Sequence, residues 1–471
     1  GLTQYPIYFF GDEAVQMNRA ADLIRDKGVG YDGVFLPTFF ENNASYILGT
    51  SVYIQVLPYL IFGRTVWATR FAPMLVSVLA AVWVSQTLKN VFEIKHWWLG
   101  GFLLSVAPAW FLHSRTAFET ALFVTFYAGF LYHYLMYRKG HTQHLYWSLF
   151  IGSIAFYSYT AGQIIMVVTG VLLFLFNFNY HWEHRKLWPW ALLVLGICVV
   201  PFVRFMIVHP EEYTTRLFNY NSYWTTDATF LQKVWMYLKE YQRGRSVRYW
   251  FFPHEQDMFR HTMTGYGHIH WTMLPLMSLG IWRLFVDHRK DGFLVVVLAT
   301  ALAAPSGAAS VQIGITRVLV TVIPVVICSG LGLQWLIDWL QEKLVKRKSP
   351  DLVSRIVFLL LVAFNCFMLW DALTNGPTWS TNYGLHGMQW GASEVFADVK
   401  MFREEDPTRH IDLSPNWANN FNELEMFFLG EEDLMYTTRN SLDGYRTEKR
   451  RLEENSLILM STEEYDNLVN D

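Results

Sequence analysis

Charge is what this chain has least of for its length. Only 16% of its 471 residues are Asp, Glu, Lys or Arg, against 52% hydrophobic and 17% aromatic. That balance excludes a disordered chain and argues against a string of ordinary soluble domains. The three cysteines, Cys198, Cys328 and Cys366, each lie inside an apolar block. This excludes a disulfide framework and a cysteine metal set, and leaves small core residues as their reading. A net charge of −3 provides no basic footprint, so nucleic acid is not an expected partner. No internal repeat or low-complexity segment is present, and no signal-peptide pattern precedes the first polar segment, which opens on Gly1.

What the chain has in quantity is long apolar blocks separated by short charged loops, the pattern of a polytopic helical membrane protein. The expected spans are Val66–Val91, Trp97–Leu112, Phe118–Tyr137, Leu145–Tyr157, Ile164–Phe178, Trp190–Val208, Trp271–Val286, Phe293–Ala304, Val318–Leu340 and Ile356–Trp370. Basic residues gather in alternate loops, around 89–95, 138–144, 181–187, 287–291 and 342–355, the last with Lys346-Arg347-Lys348. Placing those loops in the cytoplasm puts residues 1–65, 114–117, 158–163, 209–270, 305–316 and the tail on the extracytoplasmic side. About ten spans are visible, and a first segment already outside implies one more upstream, about eleven in all.

The block Tyr46 to Phe62 would invert this sidedness if it spanned, and it holds Thr50, Ser51, Gln55 and Pro58. It is expected to lie in the outer interface. Three regions follow: 1–65 as an outer loop with interfacial helices and an acidic motif, 66–372 as the membrane domain with outer loop 209–270, and 373–471 as a soluble extracytoplasmic domain. The tail should be a small α/β or α+β unit, with helices over Ser393–Arg403 and Asn420–Leu429 and strands at Ile411-Asp412-Leu413 and Ser456 to Met460. The fold class is thus an α-helical polytopic membrane protein with a small C-terminal extracytoplasmic domain.

With sidedness fixed, the outer face collects the chemistry-bearing residues. Asp12 and Glu13 open a helix-like run, where acids also serve simply to complement the helix dipole. Arg115 and Glu119 have i,i+4 spacing, readable as a local ion pair or as functional charges at the mouth of a span. Tyr159 and Gln163 lie in the polar break after the Leu145–Tyr157 span. His254, Glu255, Gln256 and Asp257 stand close to Arg260 and His261. That cluster has metal-ligand residue types but no recognised zinc pattern, so it reads as the polar wall of a cavity, with a divalent metal the lesser alternative and no cofactor demanded. Arg317 opens a span, where a guanidinium either snorkels to headgroups or holds a phosphate. Asn43-Ala44-Ser45 fits the glycosylation acceptor pattern.

Taken in order, Gly11-Asp12-Glu13-Ala14, Phe62-Gly63 with Arg70, Ser114-Arg115-Thr116-Ala117-Phe118-Glu119, Ser158-Tyr159-Thr160-Ala161-Gly162 and Arg317 to Pro324 resemble the GT-C superfamily of polytopic glycosyltransferases. The likeness is to the branch of protein O-mannosyltransferases and aminoarabinose transferases. It implies a GT-C fold and a sugar carried on a polyprenyl phosphate. It further implies Asp12 as general base, with Glu13 and Glu119 as supporting acids and Arg317, Arg70 and Arg115 as binders of the donor phosphate. Tyr159, Gln163, His254, Asp257, Arg260 and His261 would line the substrate cavity.

Glu119 stands where the family usually has aspartate. Leu36-Pro37 replaces the Lys-Pro-Pro of aminoarabinose transferases, which counts against lipid A as acceptor, and the loop 209–270 is too short for a β-trefoil domain. The tail stretches Tyr383 to Gly391 and Ser414 to Asn419 also look like those of bacterial members. The implied partners are a polyprenyl-phosphate-linked sugar, an acceptor protein or glycolipid, the lipid bilayer and, for a chain working in an assembly, a membrane-complex partner. Two other readings remain open here: a transporter or flippase for a lipid-linked sugar, which the scarcity of midplane charge disfavours, and a non-catalytic subunit that keeps the fold.

Overall fold

The computed structural model describes residues 2–3, 7–42, 45–288, 291–345, 351–375, 391–439 and 455–469. Asn43 and Ala44 of the acceptor tripeptide, the basic residues Arg289-Lys290 and Lys346-Arg347-Lys348, and the stretch Tyr383 to Trp390 fall outside the described residues.

In chain order the helix α1 (Gly11–Arg25) leads to a hairpin of β1 (Phe39–Asn42) and β2 (Ser45–Leu48), then α2 (Gly49–Phe62) and α3 (Val66–Gln86). Next come α4 (Leu99–Ser105), α5 (Pro108–His113), α6 (Glu119–Arg138), α7 (His144–Phe156), α8 (Thr160–Phe176), α9 (Phe178–Glu183) and α10 (Trp188–Val208). The outer loop carries α11 (Glu212–Asn219), α12 (Phe230–Arg243) and α13 (Val247–Phe251). After it come α14 (Met273–Asp287), α15 (Phe293–Ala303), α16 (Ile315–Val318), α17 (Val322–Leu340) and α18 (Leu352–Asn375). The tail holds α19 (Ala392–Glu405), β3 (His410–Leu413), α20 (Phe421–Leu434), β4 (Thr437–Arg439), β5 (Ser456–Leu459) and α21 (Thr462–Val469).

Every apolar block read as a span is helical, with one departure. Trp97–Leu112 is two helices, because Pro108 cannot donate a backbone hydrogen bond and starts α5 afresh after an extended Ala107. Four helices are long and apolar enough to cross a bilayer: Val66–Val91, Arg185–Val208, Ile315–Lys343 and Leu352–Asn375, with shorter apolar helices among the rest. The chain is a multi-pass membrane protein. α2 is 14 residues long, about 21 Å at 1.5 Å per residue, and so shorter than a hydrocarbon core.

The described chain groups into two compact units. Residues 29–51 go with the membrane part and 52–72 with the tail, which cuts across the expected three regions. In the unit formed by Val29–Ser51 and Pro73–Asp371, α17 is central and buried along most of its length. α10 by contrast leaves most of its side chains exposed. α14 and α17 pack backbone to backbone: a Cβ at Gly280 would lie 1.8 Å from the Cys328 carbonyl oxygen, and one at Gly332 2.0 Å from that of Leu276. Close approach at small residues is how helices associate where no hydrophobic drive acts between them. The β1–β2 hairpin pairs Phe39 with Leu48, and Phe39 stacks on Phe205 of α10 at 3.7 Å.

The other unit combines Gly1–Gly28, Val52–Ala72 and Ala372–Asp471. Its sheet runs β4-β3-β5, with both neighbours parallel to β3. α1 and α20 close over it with a core of Phe9, Ala14, Met17, Phe396, Ile411, Leu413, Phe421, Leu424 and Phe427.

Candidate functional site

The acidic motif occupies the first turn of α1 after an extended Phe10, where two carboxylates complement the helix dipole. The two acids then diverge. Glu13 is completely buried and makes a bidentate ion pair with Arg70 of α3: Arg70 Nε donates to Oε1 at 2.8 Å and Nη2 to Oε2 at 2.6 Å. Arg70 Nη1 donates to the Leu2 carbonyl at 3.0 Å. Arg70 thus has its forked donors on a buried carboxylate, with Glu13 as its counter-ion, an arrangement that commits both side chains to each other. Asp12 stays partly exposed, and its Oδ1 accepts from Asn420 Nδ2 at 3.0 Å.

In the membrane unit a second polar cluster gathers around Arg317. Arg317 Nη1 donates to the Gln312 carbonyl at 3.2 Å, and among the described residues no carboxylate comes within ion-pair distance of it. Its charge bears on Tyr159, Tyr249 and His261. Burial pushes the Tyr159 phenol up, against the opposing effects of Arg317 and of a hydrogen bond with Thr316, so Tyr159 is a hydroxyl donor at neutral pH. Burial holds His261 well below the ordinary imidazole range, and the neighbouring Arg260, His113 and Arg317 push the same way. His261 accepts from Arg260 Nε at 3.0 Å and stacks on His113 at 5.3 Å.

Asp257 accepts from the Ile315 N–H at 2.8 Å and meets His268 Nε2 at 2.9 Å. Burial alone would raise its carboxyl, but the hydrogen bond and charge of His268, the Ile315 N–H and Tyr249 hold it below the ordinary range. Ligand atoms of His254, Asp257 and His268 lie within 4.8 Å of one another and could reach one cation. His254 is already committed, however: its Nδ1 accepts from the Gln256 N–H at 3.1 Å, so Nε2 carries the proton donated to the Tyr249 carbonyl at 2.9 Å. The trio is complete as a hydrogen-bonded wall.

Other expectations divide. Arg115 and Glu119 do not form the i,i+4 pair, because the helix begins only at Glu119 after an extended Phe118. Arg115 instead folds back, donating from Nη1 to the Phe111 carbonyl at 2.6 Å and covering the Phe111 ring, and burial lowers its guanidinium to about 10. Gln163 belongs to a different network, accepting from Tyr213 at 2.6 Å; nearby Arg216 bridges Glu212, Thr160 and the Tyr46 carbonyl. Sequence reasoning missed His113, Tyr249 and His268, which sit among the rings around Asp257 and His261.

The model of the dolichyl-phosphate-mannose-protein mannosyltransferase family matches residues 50–205. The crystal structure of ArnT from Cupriavidus metallidurans in the apo state is similar over 97% of this chain and 89% of its own, at 12% identity and a TM-score of 0.56. The fold is that of the GT-C glycosyltransferases. ArnT of the same organism bound to undecaprenyl phosphate is similar at 13% identity and a TM-score of 0.56, over 98% of this chain and 90% of that one. No curated protein matches in sequence. Both branches that the motifs pointed to therefore return, one as a family model over part of the chain and one as a fold over nearly all of it.

Proposed function

We propose that the chain is an inverting glycosyltransferase that moves a sugar from a polyprenyl-phosphate donor to an acceptor hydroxyl, of a protein or a glycolipid, on the extracytoplasmic face of the membrane. Asp12 is the general base. As the acceptor oxygen bonds to the anomeric carbon, its proton passes to the Asp12 carboxylate. The bond from that carbon to the phosphate oxygen breaks, and the polyprenyl phosphate leaves with the electron pair. A hydroxyl is a poor nucleophile at neutral pH, and a positioned base supplies about 10²–10⁴-fold. The leaving phosphate gathers charge that a guanidinium stabilises, and this is the role assigned to Arg317. Tyr159 supplies a hydroxyl donor and Glu119 an orienting acid.

The observation that carries this reading is Arg317: a cation at the head of a span, among Tyr159, Tyr249 and His261, with no carboxylate partner among the described residues. An arginine serving only the fold would be expected to be paired as Arg70 is. The family match to dolichyl-phosphate-mannose enzymes and the undecaprenyl phosphate bound by ArnT support a polyprenyl-phosphate donor.

The test is reconstitution in liposomes with undecaprenyl-phosphate and dolichyl-phosphate sugars, hexose and pentose, scoring new glycoside. Wild type should form glycoside, and Asp12→Asn should lose at least about 10²-fold while remaining folded. Undiminished transfer by Asp12→Asn would remove Asp12 from the mechanism. Movement of donor across the bilayer without new glycoside would replace the reading with transport.

A further inference from the structure

The carboxylate of Asp12 is held by a residue from the far end of the chain. We infer that Asn420, in the tail, is a positioning residue for Asp12: its amide fixes one carboxylate oxygen and so sets which way the other faces. The inference rests on the reading of Asp12 as base.

Three features support it. The first is the bond itself, Asn420 Nδ2 to Asp12 Oδ1 at 3.0 Å, between residues 408 positions apart. The second is how close the two segments come. A Cβ on Gly11 would lie 2.5 Å from Asn420 Cβ and 2.7 Å from the Asn419 carbonyl oxygen. Only glycine next to the acid lets the tail approach this far. The third is the anchoring of α20 on α1. Glu423 is buried, and its carboxylate accepts from Asn18 at 2.9 Å and Arg19 at 2.6 Å, which locks the register of the two helices.

The residue type is constrained as well. Asn420 precedes α20 in the left-handed region, at φ 54° and ψ 42°. Glycine, asparagine and aspartate are the residues that adopt it readily. Glycine has no side chain, and an ionised aspartate cannot donate and would repel Asp12. Asparagine alone of the three meets both the backbone and the donor requirement. The charged groups on the packed elements include Glu13 with Arg70, which neutralise each other, Glu423 and Asp22 with Arg19, Arg25 with Asp22 and Glu431, Glu425 with Arg439, and Asp433 at the far end of α20. The neutral amide of Asn420 thus holds Asp12 without adding a counter-charge.

The test reads Asp12 directly and needs no sugar donor. A hydrophobic carbodiimide modifies carboxyl groups in their protonated form, so the pH dependence of Asp12 labelling, followed by mass spectrometry of the full-length protein in nanodiscs, gives a midpoint. An amide that donates to the carboxylate favours its charged form, so removing it raises the midpoint. Asn420→Gly, which keeps the backbone conformation, should raise it by about one unit. Asn420→Asp should raise it further, and Gly11→Ala, which pushes the tail away, should mimic Asn420→Gly. Thermal midpoints confirm that each variant is folded. Equal labelling midpoints in wild type, Asn420→Gly and Asn420→Asp overturn the inference. Loss of the Asp12 assignment would instead be seen as full sugar transfer by Asp12→Asn.

Discussion

Two polar regions of this molecule handle charge in opposite ways. Around α1 the ions are matched, Glu13 with Arg70 and Glu423 with Arg19, and Asp12 accepts from the neutral amide of Asn420. Around Arg317 they are not: that guanidinium has a carbonyl for company and Arg115 has a carbonyl and a ring, and neither has a carboxylate partner among the described residues. A buried matched pair adds little net stability, yet losing one member leaves a stranded charge. The first region is built to stay as it is; under the proposed function the second is completed by the donor phosphate.

The largest effect should come from unbalancing the matched side. Glu13→Ala strands Arg70 and should cost about 3–5 kcal/mol of stability, measured by thermal or denaturant unfolding in detergent. The double variant Glu13→Leu with Arg70→Met should recover most of that loss, because it removes both charges at once. If Glu13→Ala is neutral, the matched side is not what holds this region.

Next comes the unmatched side, where the signature is reversed: activity falls and stability does not. Arg317→Ala should lower transfer by about 10²–10³-fold with little change in unfolding temperature. Arg317→Lys should recover only part, since a point charge cannot reproduce the planar fork. A large drop in stability with unchanged transfer would place Arg317 among the structural cations.

The smallest effect is a pH dependence. His261 is held neutral in the fold, its imidazole well below the ordinary value because of burial and then Arg260. The unfolded chain therefore takes up a proton that the folded chain refuses. This contribution to stability is complete above the unfolded value near 6.5 and declines as pH falls below it. His261→Gln should flatten the fall in unfolding temperature between pH 7.5 and 5. An unchanged slope would assign that titration to other groups.

Much of the architecture was legible because span length and basic loops leave a strong local signal. Trp97–Leu112 reads as one span, although Pro108 breaks it by a rule that concerns one residue and its predecessor. The site was legible only in part. Asp12 could be picked out as an acid at a helix start and Arg317 as a cation opening a span. The Glu13–Arg70 pair joins residues 57 positions apart, and no period relates them. The ion-pair reading of Arg115 and Glu119 fails because i,i+4 spacing has meaning only inside one helix, and the helix starts at the second of them. His113 and His268 are single histidines whose significance comes from the rings brought beside them. Asn420 left a faint trace in Asn419-Asn420 ahead of a helical run, with nothing to connect it to Gly11.

The tail unit is assembled from three stretches of chain, with nearly all of the membrane spans threaded between the second and the third. Synthesis is directional, so α1 emerges long before α20 exists to cover it. In the interval the faces of Phe9, Ala14 and Met17 lack their partners Phe421, Leu424 and Phe427, and the acid at Asp12 lacks its amide. Long-range closure of this kind is slow and comes late. The nascent chain therefore passes through membrane insertion with its acidic turn unfinished, and the carboxylate is set only once the last helices have been translated and docked.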